Sequence, residues 1–216
     1  MTNAQQFKAP VVVGVVGGIA SGKSQVTRML GAMNGTIISA DEIAHRVLLE
    51  PEVMDSLVEM FGKSILIENG DHPGLSRVID RKKLASMVFG DSAGSQTMRK
   101  KLEAIVHPRI RQIAKSEMEA IKQEPKTDMI VLDAPLLIEG GWLPYCDRVI
   151  YVESPDAMRK QRAMERGWSA QEWQDRESAQ LSLAEKKKHA TDVLVNDGTI
   201  EELTQRLLEL KGSWQS

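Results

Sequence analysis

The run Gly17-Gly18-Ile19-Ala20-Ser21-Gly22-Lys23-Ser24 constrains this chain more than any other feature in it. It fits G-x-x-x-x-G-K-[ST], with the valine-rich residues 11–16 before it. After it, Val26, Met29, Leu30 and Met33 recur at helical spacing. A strand, a glycine loop and a helix in that order form a phosphate cradle. Glycines let backbone N–H groups converge on an anion, and the helix N-terminus adds positive partial charge. Lys23 is expected to bridge the β- and γ-phosphates of ATP, and the Ser24 hydroxyl to ligate Mg2+. Nucleotide contacts are accordingly assigned to Ala20, Ser21, Gly22, Lys23, Ser24 and Gln25.

Composition excludes several classes. The 216 residues carry 28 Lys+Arg against 30 Asp+Glu, a formal charge of −2, so no bulk positive field recruits nucleic acid. Hydrophobic residues at 42% are too many for intrinsic disorder at so small a net charge. The single cysteine, Cys146, forms no intrachain disulfide and fits a reducing compartment. Lys8 and the apolar stretch 10–20 imitate a short signal peptide, but cleavage there would cut through the phosphate loop. That stretch is also too short and glycine-rich to span a bilayer. A soluble cytoplasmic protein with no nucleic-acid or membrane partner, monomeric or weakly oligomeric, is the expectation.

Five β-branched runs, residues 11–16, 36–39, 129–133, 148–152 and 192–196, read as buried strands of a parallel sheet. Residues 40–128 read as almost wholly helical, too long for a tight crossover and therefore an insertion. Its turn signals are Asn69-Gly70-Asp71-His72-Pro73-Gly74 and residues 90–94. A second excursion, residues 155–190, is too polar for a core helix and reads as a lid or a solvated face. In it, Ser154-Pro155 is expected to cap a helix reaching Arg166. Ser169 with Glu172 is expected to form the capping box of one long helix towards Lys188.

Two acids stand where ligands gather, past the carboxyl ends of strands. Asp41 follows the second run, and its carboxylate either accepts a proton from an attacking hydroxyl, holds a metal-bound water, or caps the helix 42–50. Asp133 closes the apolar run 129–132 in a Walker-B arrangement that supports Mg2+ or caps a turn. Arg162 and Arg166, at i and i+4, share a helix face from which guanidinium groups can clamp phosphate, or simply be solvated. Lys186-Lys187-Lys188 reads as a solvated helix end. A GTPase is disfavoured. None of Asn3, Asn34, Asn69 and Asn196 is followed by Lys, and the switch-like Asp71-x-x-Gly74 and Asp91-x-x-Gly94 follow no buried strand.

Together these residues resemble the dephospho-coenzyme A kinase family over about residues 11–210. The phosphate loop is shared widely. More specific are Ala40-Asp41-x-Ile43-Ala44, Phe61-Gly62, Asp80-Arg81-x-x-Leu84 and Leu102-x-x-Ile105-x-His107-Pro108-x-Ile110. So are Asp133-Ala134-Pro135-Leu136-Leu137-x-Glu139, Gln161-Arg162, Arg176-x-x-x-Gln180 and Asp192-x-Leu194-Val195-Asn196-x-Gly198. The resemblance implies an α/β P-loop NTPase fold: a parallel five-stranded sheet flanked by helices, with a helical acceptor-binding insertion and a lid. The core would be about 11–40, 129–154 and 191–210, the insertion about 42–128 and the lid about 155–190. It implies transfer of the ATP γ-phosphoryl group to the ribose 3′-hydroxyl of dephospho-coenzyme A, with Asp41 as general base and Lys23 and Arg162 as the other catalytic groups. Arg81, His107 and Pro108 would lie near the acceptor, although by itself His107 reads as a core or helix-initiating residue with Pro108 in the first turn. Arg166 and Asn196 would contact the nucleotide, Asn196 beside the adenine or merely turning with Gly198.

Four positions depart from the family pattern. Ala20 replaces a usual glycine, so positive φ is not expected there. Ser39 replaces an aspartate, His45 an arginine, and Gly167 the acid of an Arg-Asp pair. The alternatives are another small-molecule or nucleoside monophosphate kinase of this fold, and a nucleotide sensor with a vestigial loop.

Overall fold

Each of the five β-branched runs forms a strand in the computed structural model, which describes residues 9–68, 77–89, 93–123 and 127–214. Lys8, the turn signal at 69–74, the switch-like motif starting at Asp71, and residues 90–92 of the second turn signal, including Asp91, lie outside the described residues. The strands are β1 (Val11–Gly17), β2 (Gly35–Ser39), β5 (Met129–Asp133), β6 (Arg148–Glu153) and β7 (Asp192–Val195). They pair in the order β2-β5-β1-β6-β7, all parallel. Val13 registers with Val131 on one side and Arg148 on the other, and Val152 registers with Leu194.

Alternation along the strands sends Val13, Val15, Met129, Val131, Ile150, Val152 and Leu194 to one face. There α1 (Lys23–Ala32) contributes Val26 and Leu30, and α9 (Ile200–Ser213) contributes Leu203 and Leu207. A capping box, Thr199 with Glu202, starts α9, and Lys211 at its other end donates to Met33 O at 2.8 Å and Asp128 at 3.1 Å. The connections leaving β1 and β6 run in opposite directions along the sheet. Their carboxyl ends therefore flank a topological switch point, where open α/β sheets bind ligands.

Described residues up to Ser39 and from Met118 form one compact unit, and Ala40–Glu117 form another. The second unit holds α2 (Ala40–Val47), α3 (Pro51–Phe61), β3 (Leu66–Glu68), β4 (Arg77–Ile79), α4 (Arg81–Val88) and most of α5 (Ala93–Gln123). It is not wholly helical. β3 and β4 pair antiparallel, Leu66 with Ile79, because short β-branched runs flank a cluster of turn residues. Asp80 caps α4 by accepting from Lys83 N at 3.0 Å. Arg109 of α5 pairs with Glu50 through two hydrogen bonds, 2.6 and 3.0 Å. Pro108 lies inside the continuous helix α5 rather than in a first turn, where it removes one backbone hydrogen bond.

The excursion after β6 also differs from expectation. Its first helix, α6 (Asp156–Glu165), has Pro155 at the N-cap and no side-chain cap, while the Ser154 hydroxyl one residue earlier accepts from Arg162. The long polar helix is two: α7 (Ala170–Ser178), with the expected Ser169–Glu172 box, and α8 (Leu183–Lys188). A second cap, Ser182 accepting from Glu185 N at 3.2 Å, separates them. Among the described residues no helix is long and apolar enough to cross a membrane.

Candidate active site

The phosphate loop leaves β1 at Gly17 and enters α1 at Lys23. Gly22 adopts φ +106, and a Cβ there would sit 2.2 Å from Asn196 Nδ2, so the position requires glycine. Asn196, buried at the end of β7, donates that amide to Ser21 O at 2.7 Å. Its donor thus holds the loop. Ala20 does have positive φ, +58, against expectation. It is buried in a cluster with Ile19 and Ala163, against which Trp168 and Trp173 pack, and this environment offsets the left-handed strain.

Lys23 folds back over the loop and donates to Gly17 O at 3.1 Å and Gly18 O at 2.7 Å. Burial, then the nearby Lys186 ammonium, push its pKa from 10.5 down to about 8; Arg159 and Arg166 push the same way and Glu177 opposes them. Ser24 is exposed on the first turn of α1, and Gln25 N donates to Gly22 O at 3.0 Å. Arg162 reaches the loop, donating to Ser154 Oγ at 3.0 Å and Ala20 O at 3.5 Å. Arg166 is the exposed C-cap of α6. Asp133 ends β5 in register with Ser39.

The sequence reading missed the most buried charge at this site. Arg159 is 2% exposed and donates to Glu177 at 2.7 Å and Ile19 O at 3.3 Å, and pairs with Asp156. Glu177 in turn accepts from Ile19 N at 3.0 Å. One ion pair from α6 and α7 thus grips both sides of the Ile19 residue, with Arg159 stacked 5.4 Å from the Trp173 ring. A side chain at Gly18 would have to displace Arg159, whose Nη1 would lie 2.2 Å from its Cβ. The only hint in the sequence was that Glu177 falls inside Arg176-x-x-x-Gln180. Arg176 itself covers the Trp168 ring at 4.4 Å.

The lysine triplet of α8 is not a uniformly solvated end. Lys187 pairs with Glu153 at 2.7 Å and Lys188 with Glu185, but Lys186 is buried. It donates to Gln180 Oε1 at 2.6 Å and lies 3.9 Å from Glu139. Glu139 also accepts from Leu181 N at 3.0 Å, tying the loop after β5 to the α7–α8 break.

Asp41, Arg81, His107 and Pro108 stand on three helices of the unit Ala40–Glu117. Asp41 is exposed within the first turn of α2 and does not cap it, since the helix begins at Ala40 directly after β2. Arg81 is exposed at the first position of α4. His107 is half-buried in α5; burial lowers its pKa, with Arg111 and Arg99 adding to the effect and Glu103 opposing it. Cys146 is half-buried; burial, then Asp147, push its thiol pKa up to about 12, which leaves little nucleophilic thiolate. Among the described residues no group of three His, Cys, Asp or Glu side chains could hold a metal by itself.

The dephospho-CoA kinase family model, CoaE, matches residues 11–202. Dephospho-CoA kinase of Geobacillus kaustophilus is 40% identical over 208 residues, covering 95% of this chain and 98% of that one. The crystal structure of TT1252 from Thermus thermophilus superposes with a TM-score of 0.76 at 31% identity, covering 97% and 100%. Dephospho-CoA kinase from Campylobacter jejuni superposes at 0.65 with 26% identity, covering 93% and 95%.

Proposed function

This chain belongs to the dephospho-CoA kinase family, and on that premise we propose that Lys23, Asp41 and Arg162 carry its chemistry. The reaction is ATP-dependent phosphorylation of dephospho-CoA to CoA. In our reading Asp41 takes the proton of the ribose 3′-hydroxyl as that oxygen attacks the γ-phosphorus. The bond to the β-phosphate oxygen breaks and ADP leaves. Lys23 and the N-terminus of α1 stabilise charge on the β- and γ-phosphates, and Arg162 meets the γ-phosphoryl oxygens. Little covalent work falls to the protein, so positioning and electrostatics supply the rate.

The observation that carries the reading is the phosphate loop. It opens at the carboxyl end of β1 beside a switch point and is gripped by Asn196 and Arg159. Ala20, Ser21, Gly22, Ser24 and Gln25 would meet the phosphates, and Arg166 and Asn196 would flank the nucleotide. For Asp41 the support is its exposed position two residues past β2. Arg81, His107 and Pro108, on the insertion 42–128, are assigned to the acceptor on the family resemblance. The helices of residues 155–190 would act as the lid that excludes water.

Ser24 and Asp133 offer a hydroxyl and a carboxylate, the hard oxygen donors that Mg2+ takes alongside phosphate and water. When bound, the ion would supply charge neutralisation along the polyphosphate. Near-zero net charge and a single cysteine support a cytosolic enzyme with no nucleic-acid partner; a monomeric or weakly associated state and no membrane partner complete this reading.

ADP release dependent on dephospho-CoA, compared with AMP, CMP and shikimate, tests the reaction. Asp41→Asn should lower kcat by about 10²–10⁴-fold while ATP still stabilises the protein against heat. Near-normal turnover of that variant would remove Asp41 as the base, and AMP outperforming dephospho-CoA would remove the acceptor.

A further inference from the structure

Two ammonium groups share the phosphate-loop site, Lys23 half-buried and Lys186 buried, and neither donates a hydrogen bond to a carboxylate. Lys23 donates to backbone carbonyls. The Lys186 side chain is 5% exposed and donates to the neutral amide of Gln180, with Glu139 beyond hydrogen-bond range at 3.9 Å. Of the charged groups acting on Lys23, Lys186 acts most strongly. The other buried cation, Arg159, is different in kind, because Glu177 and Asp156 neutralise it.

The placement of Lys186 is built by the chain around it. Ser182 caps α8 and fixes its phase, so Lys187 and Lys188 turn outward to acids while Lys186 turns inward. α8 abuts the loop: Leu183 Cδ2 lies 3.0 Å from where a Cβ on Gly18 would be. Desolvating two like charges within one site is unfavourable unless an anion completes it.

We propose that Lys186 is a second ammonium ligand of the ATP polyphosphate, reaching it from the lid side while Lys23 reaches it from the loop. The proposal rests on the reading of residues 17–24 as the seat of that polyphosphate. It makes the α7–α8 break functional, since one continuous helix would have no Ser182 cap to set the phase of Lys186.

The test compares wild type, Lys186→Met and Lys186→Gln in heat denaturation, with and without Mg–ATP or inorganic tripolyphosphate, and in steady-state kinetics. With no ligand, both variants should melt at or above the wild-type temperature, because a buried like-charge repulsion is gone. The melting shift given by ATP and by tripolyphosphate should fall to less than half, and KM for ATP should rise about tenfold or more, the scale of a lost charge-assisted hydrogen bond. Folded variants that melt lower without ligand yet keep the full ATP shift and wild-type KM would make Lys186 a structural tie to Gln180 and overturn the proposal. Lys186→Gln keeps a polar head for Gln180, so it remains informative if the methionine variant fails to fold. A wild type that gains no stability from ATP would overturn the reading of the loop, and this proposal with it.

Discussion

Glu177→Ala should destabilise the protein more than Arg159→Met, although Arg159 is the more deeply buried partner. The alanine variant leaves a guanidinium that is 2% exposed paired only with Asp156, whose side chain is 76% exposed. Removing one partner of a buried pair costs about 3–5 kcal/mol, which the surviving Asp156 contact reduces by roughly half. The Ile19 N–H loses its acceptor as well, adding about 1 kcal/mol or more. The sum is about 3 kcal/mol, or roughly 6–12 °C in Tm for a chain of this size. In Arg159→Met the charge itself is gone and the stem is replaced by apolar volume. Glu177, 22% exposed, keeps Ile19 N–H and hydrates. The losses are a donor to Ile19 O and the stacking on Trp173, together about 1–2 kcal/mol. In the double variant no charge is stranded, so the two effects should fall short of additive by about 2 kcal/mol. Urea unfolding followed by tryptophan fluorescence of the four proteins in the cycle gives the coupling. Strict additivity, or a larger loss from Arg159→Met, would refute the argument.

Lys23 makes ATP binding a proton-linked event. Its pKa of about 8 is depressed, so the folded protein without ligand releases this proton at lower pH than the unfolded chain, and stability gains as pH rises from about 8 towards 10.5. A bound polyphosphate favours the ammonium form and raises that pKa. Calorimetric titration with ATP in buffers of different ionisation enthalpy should therefore register proton uptake by Lys23 near pH 8.5 and almost none from it at pH 7; release at pH 8.5 would contradict this. At Ala20 the left-handed strain relieved by glycine, about 1–2 kcal/mol, is offset by about 0.4–1 from unfolded-state entropy and about 0.8 from the lost methyl burial. Ala20→Gly should thus leave Tm nearly unchanged. Ala20→Val, β-branched at positive φ, should lower it clearly; equal melting of the two variants would mean that the loop is not held in this conformation.

What was legible in the sequence was whatever depends on neighbours. The five runs became strands because β-branched periodicity is local, and the loop from Gly17 to Ser24 declared itself by spacing. The box at Ser169 and Glu172 could be read because its partners are three residues apart. The hairpin of β3 and β4 escaped because three-residue strands carry too little periodicity to stand out between helices. The Arg159–Glu177 grip escaped for another reason: its hydrogen bonds to Ile19 span 140 and 158 residues. Ser154 was assigned to a cap because Ser-Pro suits one, but the helix starts one residue later than that, with Pro155 at its N-cap, and Arg162 donates to the Ser154 hydroxyl. At Ala20 the argument from the missing glycine failed because packing against Ile19, Ala163 and two tryptophans overrides a local preference.

The central place of β1 has a consequence for how the chain is made. Val11 leaves the ribosome well before its partner Met129, which follows 118 residues later, and Arg148, the partner of Val13, comes later still. At about 5–20 residues per second, β1 waits on the order of ten seconds with neither edge paired. A valine strand in that state is an aggregation hazard. The hairpin in residues 40–117 incurs no such delay, since Leu66 meets Ile79 within 13 residues. The strand that later carries the phosphate loop is therefore the one most in need of shelter during synthesis.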